Sequence, residues 1–353
     1  MPIETVEDLR SHVRLAIQVE LSTIPPYLVA MYSIEDQQSE AALLIRSIVA
    51  EEMLHAALCA NLLVAIGGRP SFAPTELIPS YPMWLPHHRP PLQLRLVACS
   101  IDLIRDVLMR VEQPEVSGAP AEADVFETLG QFYHALELAI AELDDDFDLF
   151  SDPQRDHQMG DAAFYRPVAF DAEDSGGLLF IDDVASAVEA LEIIVHQGEG
   201  LSTDRWADPA HQELTHYHKL AQIADGTSPL GDVFPLRPDA VTAGYPPDVA
   251  AVSDLFNAAY RYLYLVLDEL FGPAADKSGP VGRLYRLMSD VMSELAHYLV
   301  RQQLEDGSHA APTFEIYEFG ADPSTELTGL AGRVDEVINP GSSTFVDKLA
   351  AIV

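Results

Sequence analysis

Glu52 and His55 lie three residues apart in the apolar stretch AEEMLHAALCANLLVAIGG, which covers residues 50–68. Residues three apart on a helix share a face, so a helix here points the carboxylate and the imidazole in one direction. The other members of that face are apolar: Leu44, Ile48, Cys59, Leu62 and Ile66. A carboxylate among such residues is costly unless it is paired or binds a metal. The stretch therefore predicts a buried pair of metal ligands.

Two further Glu-x-x-His pairs occur in the chain, Glu213 with His216 and Glu294 with His297. The first of these lies in a helix that we predict over 209–224. Glu-x-x-His on two helices, with one more Glu from each of two others, is the ligand set of the dimetal carboxylate bundles. Glu213 and His216 would supply the second half of that set. The remaining pair has no further partner helix, and we assign it to packing or to an interhelical hydrogen bond.

The two single carboxylates of such a site must come from two more helices. Glu20 lies within the apolar stripe of the first predicted helix. On a helix predicted over 181–199, Glu192 and Glu199 both lie on the inner edge, and spacing alone does not choose between them. Glu20 and Glu52 are similarly distant from the turn between their helices, so an antiparallel pair brings them to a similar height.

Capping signals define the two helices that carry Glu20 and Glu52. The first is predicted to begin at a capping box of Thr5 and Asp8, and the second to run from Ser39 to Gly67. The Pro-Pro pair at 25–26 should kink the first helix close to the predicted site, because each proline removes a backbone donor.

The rest of the chain divides into a predicted bundle domain over 1–240 and a C-terminal helical extension and tail over 241–353 packed on it. The bundle domain contains a proline-rich insertion over 69–122 and then a helix over 123–144. Within the extension we predict helices over 248–270 and 281–304. The fold class predicted from these patterns is all-α.

The composition limits the kinds of partner. The 353 residues include 56 Asp and Glu against 20 Lys and Arg, a formal net charge of −36. Nucleic acid and anionic membranes would be repelled, so neither is expected as a partner. The first residues lack a signal-peptide pattern and no apolar run reaches the roughly 18 residues of a membrane span, which predicts a cytoplasmic protein. Two cysteines, Cys59 and Cys99, fit neither a disulfide framework nor a thiolate metal site.

Several stretches resemble the ferritin-like domain of the iminophenylpyruvate dimer synthases of violacein and rebeccamycin biosynthesis. They are AIQVELSTIPPYLVAMYSI, IVAEEMLHAALCANLLVAIGGRP, IIVHQGEG with ELTHYHKLAQI, and more loosely LMSDVMSEL and APTFE. Together they span most of the chain. The synthases are much longer chains, so this chain resembles a freestanding version of the domain.

The resemblance implies a ferritin-like four-helix bundle with a proline-rich insertion, extra C-terminal helices and a dimetal site. The metal ligands that it implies are Glu20, Glu52, His55, Glu199, Glu213 and His216. It favours Glu199, which lies in the QGEG stretch, over Glu192.

Four carboxylates and two imidazoles suit two Fe ions, or Mn, because these ions accept hard oxygen and borderline nitrogen ligands. We expect a non-haem oxidoreductase that acts on a small organic substrate, in secondary metabolism related to imino-acid or indole dimerisation. One alternative is an iron-handling ferroxidase or storage protein, although the extra C-terminal helices argue against assembly into a cage. Another is a non-catalytic ferritin-like scaffold. The sequence also allows a homo-oligomer.

Overall fold

The structure is a computed structural model that describes residues 3–115, 119–160, 177–198, 214–274 and 276–353. Regular structure in these ranges is almost entirely helical. The strands within them form one short antiparallel pair, β1 (Met83–Trp84) and β2 (Gln93–Leu94). The predicted all-α class is therefore confirmed.

Helices α1 (Val6–Ser33) and α2 (Glu40–Ala65) pack against each other along their length. The side chain of Thr5 accepts from the Asp8 N–H, and the Asp8 carboxylate accepts from the Thr5 N–H, so the predicted capping box is present. The Ser39 side chain caps α2 by accepting from the Ala42 N–H.

The two prolines of α1 do not end the helix, which continues through Pro25 and Pro26. Pro26 has no N–H to donate to the carbonyl of Ser22, four residues earlier. The hydroxyl of Tyr81, in the proline-rich insertion, donates to that carbonyl at 2.7 Å. The insertion is thus fixed to α1 at the point where the helix lacks its own hydrogen bond.

Within the ranges that the structure describes, four more helices surround this pair or pack against it. The helical run α3 consists of Ile101–Leu103, a π-helical segment at Ile104–Leu108, and Met109–Val111; α4 is Leu129–Phe147, α5 is Val184–Gly198 and α6 is His216–Asp225. Helix α4 packs on α1 and on α5, while α5 and α6 both pack on α2.

The C-terminal helices pack on a different face of α1. Helix α7 is Pro247–Leu270; α8 consists of Ser278–Arg286, a π-helical segment at Leu287–Met292, and Ser293–Val300; α9 is Pro323–Ile338 and α10 is Thr344–Ala350. The last part of α8 contacts α1, and α7 packs on α8 and α9. The division into domains at 240 stays a prediction.

Several predicted helix boundaries differ from the structure by a few residues, and at two of them a capping side chain gives the reason. The helix predicted over 123–144 begins only at Leu129, because the side chain of Thr128 caps it by accepting from the Gln131 N–H. The helix predicted over 209–224 is not helical at Thr215, whose side chain accepts from the His218 N–H and caps α6 instead. A hydroxyl that satisfies a free backbone amide fixes the start of a helix in each case.

Helix α2 is the core helix of the bundle. Among the described residues it alone is long and apolar enough to meet the length and composition of a membrane span, and 89% of its apolar window is buried inside the protein. Its apolar character is therefore used in packing.

Candidate metal centre

Three side chains from α1 and α2 form the first cluster of potential metal ligands. Glu20, Glu52 and His55 are all buried, and each offers one ligand atom within 4.8 Å of the others. The Nδ1 atom of His55 lies 3.3 Å from a carboxylate oxygen of Glu20 and 4.0 Å from one of Glu52. The capped α1–α2 pair brings these groups together across the interface between the two helices.

A second cluster shares Glu52 with the first. It joins Glu52 to Glu112, which directly follows α3, and to His216, the first residue of α6. The Nδ1 atom of His216 lies 3.0 Å from a Glu52 oxygen and 3.3 Å from a Glu112 oxygen. Because Glu52 belongs to both clusters, the two groups of potential ligands adjoin.

Each histidine is oriented through its other ring nitrogen. The Nε2 of His55 lies 2.9 Å from the side-chain oxygen of Gln197 at the end of α5, and the Nε2 of His216 lies 2.7 Å from a carboxylate oxygen of Glu51. Lys219, fully buried on α6, donates to both oxygens of Glu51 at 2.8 and 2.7 Å. These contacts keep both Nδ1 atoms facing the carboxylates, as is typical of histidines that bind metals.

A hydroxyl also contacts each of the three clustered carboxylates. Tyr133 donates to Glu20, Tyr27 donates to Glu112, and Thr23 donates to Glu52. A carboxylate has room to accept more than one contact, so these hydrogen bonds fix its orientation and leave its second oxygen for a cation.

Burial and mutual repulsion shift the protonation of these groups. Burial raises the pKa of the Glu52 carboxyl, and the negative charges of Glu112 and Glu20 add to the effect, to about 7. Burial alone would lower the pKa of His216, but the neighbouring carboxylates, led by Glu112, raise it well above its usual value. The site therefore attracts positive charge, either as protons or as metal ions.

The donor set fits a metal. Nδ1 of His216 is buried and makes no hydrogen bond of acceptable geometry, although two carboxylate oxygens lie within 3.3 Å. When Nε2 carries the proton that Glu51 accepts, Nδ1 carries a lone pair. A buried lone pair among carboxylate oxygens is stabilised by a cation, and oxygen with imidazole nitrogen is the ligand chemistry of iron and manganese.

The comparison with known families decides the classification. The Ferritin-like family matches residues 13–225, which is more than half of the chain. The chain belongs to the ferritin-like family. This confirms the predicted ferritin-like bundle.

A solved ferritin-like protein from Caulobacter vibrioides has the same fold. It is 23% identical in sequence, the match covers 83% of this chain and 97% of that one, and the TM-score is 0.57. Among curated proteins, none matches this ferritin-like chain.

The ferritin-like chain brings together four of the six predicted ligands: Glu20, Glu52, His55 and His216. Glu199 and Glu213 lie outside the described residues. Glu192, the alternative carboxylate of the helix predicted over 181–199, is exposed and belongs to neither cluster.

Sequence reasoning missed two members of the site, Glu112 and the Glu51–Lys219 pair. Glu112 follows a π-helical segment, whose wider turn changes the spacing of the inward face, so a helical period of 3.6 residues did not reveal it. Its position at the end of an apolar helix was the only local signal. Glu51 stands next to Glu52 in sequence, and the one signal was a second carboxylate in an apolar helix.

The third Glu-x-x-His pair has another role. Glu294 forms an ion pair with Lys348 of α10 at 2.6 Å, and the Nδ1 of His297 lies 2.8 Å from the backbone carbonyl of Ser293. Neither residue belongs to a cluster of potential ligands among the described residues.

Proposed function

We propose that this ferritin-like protein is a non-haem oxidoreductase that uses two Fe or Mn ions to act on a small organic substrate. The observation that supports this function best is the sharing of Glu52 between two Glu/His clusters. A single-ion site would need no second histidine beside the same carboxylate, whereas the Nδ1 atoms of both His55 and His216 lie within 4.0 Å of a Glu52 oxygen. Two adjoining sites with a common carboxylate are typical of dimetal carboxylate proteins.

The chain's own residues would hold and orient the two ions. Glu20 and His55 would hold one, Glu112 and His216 the other, and Glu52 would contact both. We keep Glu199 and Glu213 as further proposed ligands on the strength of the resemblance described above. When bound, the ions would supply the exchange of electrons between the substrate and an oxidant such as dioxygen.

Groups around the ligands would exclude water and keep their orientation fixed. The clustered carboxylates and histidines are buried, so bulk water has no direct contact with them in the described structure. The Glu51–Lys219 ion pair neutralises itself and holds His216 through Nε2. Gln197 has the same orienting role toward His55.

We propose an imino-acid or indole-type substrate and a role in secondary metabolism, on the basis of the sequence resemblance to the iminophenylpyruvate dimer synthases. A cytoplasmic location, the absence of nucleic-acid and membrane partners, and a homo-oligomer are proposals that rest on composition and resemblance. The strong negative charge would oppose association with nucleic acid.

The decisive experiment is metal analysis of protein expressed without a chelating tag. We expect about two equivalents of iron or manganese in the wild-type protein, since two clusters are present. The double variant Glu52→Ala, His55→Ala should lose both, while the matched control Glu192→Ala, an exposed carboxylate, should keep them.

Oxygen consumption with imino-acid and indole-type substrates then separates the functions. Consumption that depends on the substrate and is lost in the double variant supports the oxidoreductase. Oxidation of added ferrous iron without organic turnover would instead indicate iron handling. No metal in any sample, even after reconstitution, would leave a ferritin-like scaffold and overturn the proposal.

A further inference from the structure

A large apolar cavity lies on the other side of the α1–α2 pair from the metal centre. Its volume is about 520 Å³, and it is enclosed by α1, α2, α7 and α8 together with Phe72 of the insertion. Residues next to the ligands in sequence line it, among them Leu21, Met53 and Ala56. None of the clustered carboxylates and histidines does so. The cavity is therefore a second site, distinct from the metal centre.

One end of the cavity is polar. The lining there includes Arg46, Tyr32, Ser293 and His297. The rings of Tyr32 and His297 meet edge to face with their centres 5.1 Å apart. The hydroxyl of Ser293 lies 3.4 Å from the Nδ1 of His297. Burial raises the pKa of Tyr32, while a hydrogen bond with Ser293 and the charge of Arg46 oppose that rise.

Arg46 gives this end a positive charge. Its Nη2 donates to the backbone carbonyl of Gln37 at 3.3 Å, and no carboxylate among the described residues forms an ion pair with it. The described residues that line the cavity include no Asp or Glu, so the charge of Arg46 is not neutralised by a carboxylate in the cavity wall. Arginine binds carboxylates through a planar fork of N–H donors.

The remaining wall is apolar and aromatic. Tyr260 and Tyr264 of α7 satisfy each other through a hydrogen bond of 3.0 Å between their hydroxyls, and Phe314 packs edge to face on Tyr260. These aromatic groups therefore present mainly carbon surface to the cavity.

The π-helical segment of α8 forms part of the same wall. Met288, Ser289 and Met292 of this segment line the cavity, and Ser289 is exposed to solvent, which places the opening there. Short π-helical segments inside α-helices are frequent at functional sites. Methionine side chains adapt their shape, which suits a wall that admits a ligand.

We propose that this cavity binds a monocarboxylate with a long apolar body, whose carboxylate contacts Arg46 beside His297 and whose body lies against the α7 aromatics. The volume lies within the ~300–1,000 Å³ of small-molecule sites, which are mostly apolar with a few placed polar groups. This inference does not rest on the proposed function of the metal centre.

The test uses decanoate as the probe, with 1-decanol as its uncharged counterpart, and isothermal titration calorimetry of the full chain. Arg46→Gln should weaken decanoate binding about tenfold or more, since a hydrogen bond to a charged group is lost, and should leave decanol binding within about twofold. The control Arg301→Gln removes an exposed arginine that lines no part of the cavity and should have little effect.

A second pair of variants tests the location independently of charge. Leu263→Trp fills the cavity from α7 and should remove binding of both probes, whereas Leu138→Trp, the same change at an exposed position of α4, should not. Binding should persist in the Glu52→Ala, His55→Ala variant, which separates this site from the metal centre.

The proposal is overturned if wild-type protein binds no decanoate, or if Leu263→Trp binds it as tightly as wild type. Equal decanoate affinity in wild type and Arg46→Gln would reject recognition of the carboxylate.

Discussion

The two sides of the α1–α2 pair have opposite chemistry, although the same helices form both. On one side Glu20 and Glu52 belong to a buried cluster of carboxylates and histidines. On the other side Leu21 and Met53, one residue further along each helix, line an apolar cavity. Successive residues of a helix point about 100° apart, so a step of one residue is enough to separate two environments.

The comparison also shows how each side handles charge. The metal side contains three clustered carboxylates with partial compensation, so it attracts protons or cations. In the part of the chain that the structure describes, the lining of the cavity contains one arginine and no Asp, Glu or Lys, so it is suited to an anion with an apolar body. Helix α2 keeps the two environments apart, and its apolar packing explains why it is so thoroughly buried.

The largest expected effect is on the metal side, where Glu52 serves both clusters. We expect Glu52→Gln to lose both metal ions, because the amide carries no charge and one side chain contributes to two sites. Glu20→Gln should lose about one of the two ions, since Glu20 belongs to one cluster only. Metal analysis of the purified variants measures this difference.

Glu192→Gln, the same change at an exposed position, is the control and should retain both ions. If Glu52→Gln keeps one ion at full occupancy, the carboxylate is not shared between the clusters.

The next effect compares a buried ion pair beside the metal centre with an exposed ion pair elsewhere in the molecule. Lys219→Met leaves the buried Glu51 carboxylate without its cation, and we expect a loss of about 3–5 kcal/mol in the free energy of unfolding. Lys348→Met removes a partner of Glu294 at the surface, where exposed ion pairs contribute about 0–1 kcal/mol. Urea unfolding of both variants measures the contrast.

Burial explains the expected difference, because both lysines form close ion pairs in the structure. Equal losses for Lys219→Met and Lys348→Met would show that Glu51 has another source of compensation.

The features that the sequence predicted correctly depend on interactions between residues that are close together in the chain. Capping boxes and apolar stripes lie within a few residues of each other, so α1, α2 and the presence of Glu20, Glu52 and His55 on inward faces were predictable. The start of α6 was not, because the hydroxyl of Thr215, inside the predicted range, accepts from the His218 N–H and caps the helix there.

Contacts between residues that are far apart in the sequence could not be predicted from the apolar pattern of single helices. Glu112 reaches His216 only after the π-helical segment changes the helical spacing, and Gln197 contacts His55 across 142 positions of sequence. The cavity arises where α7 and α8 meet α1 and α2, and periodicity in one helix carries no information on the space between several.

A smaller effect should follow from the orientation of His55. Gln197→Leu removes the oxygen that accepts from Nε2, and we expect metal affinity to fall about 10–100-fold without a change in stoichiometry. Competition with a chelator of known affinity measures the change. Gln38→Leu, at an exposed position, is the control. Unchanged affinity in Gln197→Leu would show that α2 packing alone orients the ring.

The pH dependence of the free energy of unfolding tests the electrostatics of the metal side. In the metal-free protein, burial and neighbouring carboxylates raise the pKa of Glu52 from 4.5 to about 7. The folded state therefore binds a proton more tightly than the unfolded state. That contribution is complete below pH 4.5 and is lost as the pH rises through about 7. The raised pKa values of His55 and His216 act with the same sign.

Metal ions must displace these protons, so the rise in melting temperature on adding metal should be larger at about pH 8 than at about pH 5.5. Thermal unfolding with and without manganese at both pH values measures it. Glu52→Gln should show a flatter dependence, and an equal metal effect at both pH values would exclude competition with protons.

The smallest effects should come from substitutions that conserve side-chain size, one on each side of the α1–α2 pair. Met53→Leu changes a cavity residue next to Glu52, and we expect unchanged metal content and less than about 1.5 kcal/mol of lost stability, because the volume is conserved. Thr23→Val conserves shape on the other side but removes the hydroxyl that donates to Glu52, so it should weaken metal binding. Metal affinity and urea unfolding of Met53→Leu and Thr23→Val measure these effects. They test whether the role of a residue depends on the side of the helix pair that it faces or on its distance along the chain from a ligand. Equal metal affinity in the two variants would mean that the two sides are not independent.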